Sequence, residues 1–220
     1  MKADTIGGIT PAVLVQLRQG EKILAAHEIM LYKEPSVKLT RRTLKSLGVG
    51  TAHLLGLRAL GDNEESYFLA EFEGPGNVTF SRDKGGEVRV MDLPAGQSVK
   101  LRQGHMICFD PTVHYNPMVL FQYPNPVPDQ NGNRNTVYGF ADELTGPGTL
   151  VFQSNGNILS FNLGPQESLR TSTNALLMMS GTNRFSLNWL ASGQMIGPAS
   201  AQIPVMDVYG PGTVMVHSGW

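Results

Sequence analysis

Three carboxylates occupy matched places in this chain. Glu71, Glu143 and Asp207 each stand three residues before the first glycine of a Gly-Pro-Gly triplet. The triplets are Gly74-Pro75-Gly76, Gly146-Pro147-Gly148 and Gly210-Pro211-Gly212. If the three acids converge, they form a triangle that holds a cation or shares protons, with raised pKa values. If each lies on a strand, it faces solvent and alternates with inward Phe72, Leu144 and Val208.

The histidines are His27, His53, His105, His114 and His217. Metal centres in β-barrel enzymes draw several histidines and a carboxylate to one mouth, often from a His-x-His pair. This chain has no such pair. His105-Met-Ile-Cys108 has the spacing nearest to a metal motif, but residues three apart on a strand point to opposite faces. No nucleophile motif stands out, so a metal-dependent enzyme is the weakest of three readings. We expect no catalytic residues and no cofactor.

The elements that carry these residues are short strands. The 25 glycines and 14 prolines punctuate runs rich in Val, Leu, Phe and Thr, which indicates an all-β protein. The chain has 220 residues, 41% of them apolar, enough for one sizeable core. Its 17 basic and 18 acidic residues leave a net charge of −1, which argues against a nucleic-acid partner. The single Cys108 fits a reducing compartment. With no signal-peptide-like start and no apolar run of membrane-spanning length, we expect a cytoplasmic protein that is not integral to a membrane.

The Gly-Pro-Gly phrase recurs at an interval of roughly 70 residues, which points to a repeated β unit. Val78, Leu150 and Val214 are equivalent after the triplets, as are Phe80, Phe152 and Val216. Further on, Met30, Met106 and Leu176 match, as do Tyr32, Cys108 and Met178. Each triplet strand is expected to form a hairpin with the strand after it, such as 87–93 or 157–163. The N-terminal copy then lacks its triplet and the C-terminal copy lacks its return strand. The reading is one domain, 1–220, of three copies: a split copy, 12–37 plus 207–220, then 67–113 and 138–183. Links at 38–66, 114–137 and 184–206 join them. Pairing of 213–217 with 12–17 would close the ring. Pro at the second place and Gly at the third suit a type II turn, so the triplets are corners of the architecture rather than ligand loops.

The GEKILAAHEIM segment, the EESYFLAEFEGPG phrase and the repeated Gly-Pro-Gly strands resemble the altered-inheritance-of-mitochondria family, known in bacteria as a domain of unknown function. The resemblance covers most of the chain. It implies a shortened double-stranded β-helix, ring or barrel-like, similar to the tryptophan RNA-binding attenuation protein and repeated three times. It implies no established activity.

The links suggest partners. Residues 38–62 are basic and apolar, and could meet a membrane surface peripherally through Arg41, Arg42, Lys45 and Arg58. Met118 to Phe121 would be a sticky patch unless covered, and 124–135 reads as an exposed loop. The leading function is a non-catalytic scaffold that binds a protein partner or assembles as a homo-oligomer. Binding of RNA or a small molecule is the alternative.

Overall fold

Short runs of β-branched and aromatic residues, broken by glycine and proline, do form strands. The computed structural model describes residues 1–8, 10–43, 68–82, 85–124, 132, 136–190 and 203–219. These hold nineteen strands and one 3-10 turn, His27–Ile29. After β1 (Lys2–Ile6) come β2 (Ala12–Leu17), β3 (Lys22–Ala26), β4 (Met30–Lys33), β5 (Lys38–Thr43), β6 (Phe68–Glu73) and β7 (Gly76–Ser81). Next are β8 (Val88–Leu93), β9 (Ser98–Arg102), β10 (Met106–Phe109), β11 (His114–Pro124), β12 (Thr136–Thr145) and β13 (Gly148–Gln153). The last six are β14 (Ile158–Leu163), β15 (Ser168–Ser172), β16 (Leu176–Ser180), β17 (Arg184–Leu190), β18 (Ile203–Tyr209) and β19 (Gly212–His217).

The antiparallel pairings recur every six strands. β7 lies between β2 and β4, β13 between β8 and β10, and β19 between β14 and β16. Likewise β6 lies between β5 and β3, β12 between β11 and β9, and β18 between β17 and β15. β10 also pairs with β3, and β16 with β9. The result is two six-stranded sheets, one four-stranded sheet and one three-stranded sheet. The register shifts between Met30 and Tyr32, between Met106 and Cys108, and between Leu176 and Met178. A β-bulge thus falls at the same place in each group, which bends the strand locally.

Two expectations about pairing fail. The triplet strand does not fold back on the strand after it: β7 pairs with β2, β13 with β8 and β19 with β14. Nor do the terminal strands pair, since β2 lies between β1 and β7, and no sheet closes into a barrel among the described residues. The matched sequences identify equivalent strands but leave open which copy supplies the partner. Pairing with the preceding equivalent strand satisfies the same apolar pattern: Val15 faces Val78, Met91 faces Leu150 and Phe161 faces Val214. Ahead of β8, Gly86 bridges in parallel to Gly156, whose N–H donates to the Gly85 carbonyl at 3.1 Å.

Of the expected links, 44–67, 125–131, 133–135 and 191–202 lie outside the described residues, with Lys45, His53 and Arg58 among them. The described parts are strands. Residues 38–43 form β5, and Met118 to Phe121 belong to β11, which with β12 makes a long antiparallel arm. Leu120 and Phe121 pack against the chain's own third apolar cluster. No helix among the described residues is long and apolar enough to cross a membrane.

The largest apolar cluster is built around Leu101, Phe109, Leu144, Leu150, Phe152 and Leu177. Phe152 lies on β13, between two partner strands, and is fully buried. Phe152→Ala should cost about 3–5 kcal/mol in urea unfolding. Leu159→Ala, at an exposed position, should change stability by less than about 0.5 kcal/mol.

Candidate functional site

The Gly-Pro-Gly corners are wedged between two turns. A side chain on Gly74 would overlap Leu17 and the Arg18 carbonyl. On Gly146 it would overlap the Leu93 and Pro94 carbonyls, and on Gly210 the Gly164 carbonyl. The third glycine of each triplet is pressed from the other side, Gly76 by Ser36 and Val37, Gly148 by Thr112 and Val113, and Gly212 by Asn183. Three equivalent hydrogen bonds of 2.9 Å fix the corners: Gly74 N–H donates to the Glu21 carbonyl, Gly146 to Gln97 and Gly210 to Glu167. The last glycines have φ of +135°, +146° and +142°, values that favour glycine. The type II turn is not what forms. The Gly74-Pro75, Gly146-Pro147 and Gly210-Pro211 bonds are cis, not the trans bonds of the expected corner. An X-Pro bond has only a small trans preference, so sequence alone leaves the isomer open.

The three matched acids do not gather into one site. Each occupies a strand with a partner on either side, in a different sheet, and is held by its neighbours. Glu71 accepts from Arg42 at 2.6 Å and from Lys22 at 3.1 Å. Asp207 accepts from Arg170 at 2.6 and 2.8 Å and from Asn188. Glu143 accepts from Asn116 at 3.2 Å. Among the described residues, no three His, Cys, Asp or Glu side chains group as metal ligands would. The expected rise in pKa is reversed at Asp207, where the Arg170 hydrogen bond holds the carboxyl below its usual range. Arg42 is thus an ion-pair partner of Glu71. Arg41 is exposed on β5.

The unusual acid is one residue away. Asp142 is buried, and Tyr115 donates to it at 2.9 Å. Burial pushes its carboxyl up to about 6, against the pull of the Tyr115 hydrogen bond and the Arg82 charge. The equivalent positions carry Ala70 and Met206, so the repeat alignment held the signal. Nearby, Arg82 donates to the Met106 carbonyl at 2.6 Å. The rings of His105 and His217 meet edge-on at 5.1 Å. His105 Nδ1 is 2.8 Å from the Gln153 carbonyl, and burial lowers its pKa to about 4. Cys108 leaves this group, as strand alternation requires. It is fully buried, its thiol is pushed up by burial, and its Sγ lies 3.8 Å from Met1 Sδ.

A cleft of about 240 Å³ opens where the β11–β12 arm meets β9 and β16. Lys100, Arg102, Phe121, Tyr123, Tyr138 and Phe140 line it. The rings are paired, Phe121 with Tyr123 at 6.0 Å and Tyr138 with Phe140 at 6.2 Å. Gly139 leaves room for the Phe121 ring to lie against the backbone. Arg102 donates to the Thr173 carbonyl at 3.1 Å, and Lys100 donates to the Gly181 carbonyl at 3.1 Å. Flat rings beside two cations suit a planar anion. No motif marks this cleft, because its lining comes from four separate strands.

The family model described as mitochondrial biogenesis AIM24 matches residues 4–219. The chain belongs to that family. Among solved structures it is similar to the X-ray crystal structure of a Streptococcus pyogenes protein. The sequence identity is 18%, 99% of this chain and 93% of that chain are covered, and the TM-score is 0.68. At that identity the likeness concerns the fold alone. No curated protein matches.

Gly146→Ala forces a methyl group against backbone carbonyls and should cost at least about 2 kcal/mol in urea unfolding. Gly8→Ala, with open space around it, should stay within about 0.5 kcal/mol.

Asp142 and His105 should give opposite pH dependences. Asp142 has a folded pKa above its unfolded value, so its contribution is present in acid and is lost as pH rises from about 4 to about 6. Asp142→Asn should therefore gain about 2–3 kcal/mol over the natural chain across that window. His105 has a folded pKa below its unfolded value, so its contribution is present above about 6.5 and is lost as pH falls toward 4. His105→Gln should flatten that acid limb. Urea melts at stepped pH read both.

Proposed function

We propose that this member of the AIM24 family is a non-catalytic β-scaffold of three like units, acting through assembly or partner binding. The units would run from β2 to β7, β8 to β13 and β14 to β19. Within each, the chain passes between two sheets at every step but one, the hairpins β5–β6, β11–β12 and β17–β18, a course that supports the winding of a shortened double-stranded β-helix. The observation that carries the reading is the state of the matched acids. Glu71, Glu143 and Asp207, the groups best placed by the repeat to do shared chemistry, are each engaged by neighbouring side chains in a separate sheet.

The cleft supports a second reading, binding of a small planar anion or of stacked RNA bases beside Lys100 and Arg102. The two readings part in a titration. On the scaffold reading, the purified chain retains no mixed-sequence RNA on filters at physiological salt, and the planar anionic dye 8-anilinonaphthalene-1-sulfonate shows no saturable tight site. One dye site per chain, lost in Arg102→Gln with the melting temperature unchanged, would establish the cleft as the functional centre instead.

A further inference from the structure

The two smaller sheets match in strand order the halves of the six-stranded ones. Each six-stranded sheet joins two three-strand halves through one seam. In the first, β5-β6-β3 meets β10-β13-β8 along β3 and β10, and in the second, β11-β12-β9 meets β16-β19-β14 along β9 and β16. The remaining halves are β17-β18-β15 and β4-β7-β2, the latter extended by β1. Their seam strands, β15 and β4, end their sheets and carry no outer partner among the described residues.

The side chains on β4 match this incompleteness. Leu31 is 59% exposed and Tyr32 54% exposed. Their equivalents on the paired seams are Ile107 and Cys108, both at 0%, and Leu177 and Met178, at 0% and 1%. On β15, Leu169 and Thr171 are half-buried. Their equivalents Ile23 and Ala25, and Val99 and Leu101, are all buried. Both free edges thus display residue positions that the other two seams cover.

We infer that β15 of one chain pairs antiparallel with β4 of a second copy of this chain, head to tail. The existing seams set the register. Cys108 faces Ala25 and Met178 faces Leu101, which places Tyr32 opposite Thr171 and Lys33 opposite Arg170. The cations on this seam are already engaged, Arg170 by Asp207 and Lys33 by the Val37 carbonyl at 2.8 Å. Each chain offers one edge of each kind, so the contact is heterologous and leads to a closed ring or a growing chain of subunits. An unpaired edge strand is a ready template for such pairing. The inference deepens the assembly reading above and rests on its division into three units.

The test uses full-length Tyr32→Cys and Thr171→Cys chains with a short bis-maleimide, which adds one cysteine thiol at each end. The natural chain, whose Cys108 is fully buried, is the control. A mixture of the two variants should give a cross-linked dimer, and neither variant alone should. Light scattering should show an assembly whose midpoint concentration rises at least about tenfold in Tyr32→Asp with its circular dichroism unchanged. Dimers of a single variant would mean that like edges pair, and would overturn the proposal. A cross-link confined within one Tyr32→Cys, Thr171→Cys chain would overturn it while leaving the three-unit division standing. A monomer across the micromolar range, or an assembly indifferent to Tyr32→Asp, would also overturn it. A ligand site in the cleft would defeat the scaffold reading and leave the cross-linking result untouched.

Discussion

The fold depends on the lack of room at the Gly-Pro-Gly corners. Each corner is held between the turn before one strand pair and the turn after another, with the first glycine against one and the third glycine against the other. This fixes where the chain leaves a strand with a partner on either side in one sheet and enters such a strand in the next. β6 and β7, β12 and β13, and β18 and β19 all make that passage. A side chain at the first glycine would part the corner from the turn that accepts its N–H, and the two central strands would lose their common anchor.

The charges beside the corners follow from that placement. A residue three before the corner lies on a strand with a neighbour strand on either side. An acid there meets cations and amides from both: Lys22 and Arg42 at Glu71, Arg170 and Asn188 at Asp207. The carboxylates are buried while their cations stay partly open to solvent, which keeps the contribution of each pair modest. Their effect is on specificity, since a one-residue slip of register would turn the acid into the apolar layer that holds Phe72, Leu144 and Val208.

Much of this was legible in the sequence. The all-β class follows from composition and alternation, and the strands matched after the triplets each lie between two partners. The pairing partners were not legible, because equivalent strands share one apolar pattern and a shift by a whole unit leaves every face correct. The cis bonds were hidden by the small energy gap between X-Pro isomers. Asp142 was visible, as an acid aligned with Ala70 and Met206, although the acid at the next position recurs and this one does not. The cleft could not be read at all, since it needs the β11–β12 arm to lie against residues far away in the chain.

Departures from the common pattern gather in the middle of the chain. Asp142, Tyr115, His105, Arg102 and the long β11–β12 arm all lie between β8 and β13, the six strands flanked by seams on both sides. A buried carboxyl or imidazole needs surrounding structure to supply its hydrogen bonds and to withstand its desolvation. The flanked unit has that structure: its polar groups reach Gln153, Thr173, Asn174 and Met106, and His105 meets the His217 ring. In the sequence alignment Ala70 and Met206 correspond to Asp142, and Ala26 and Ser172 to Arg102. On the three-unit reading, repetition secures the framework and frees the central unit to diverge. The polar positions peculiar to that unit are then where a specific role would be written, and the shared positions report only on the fold.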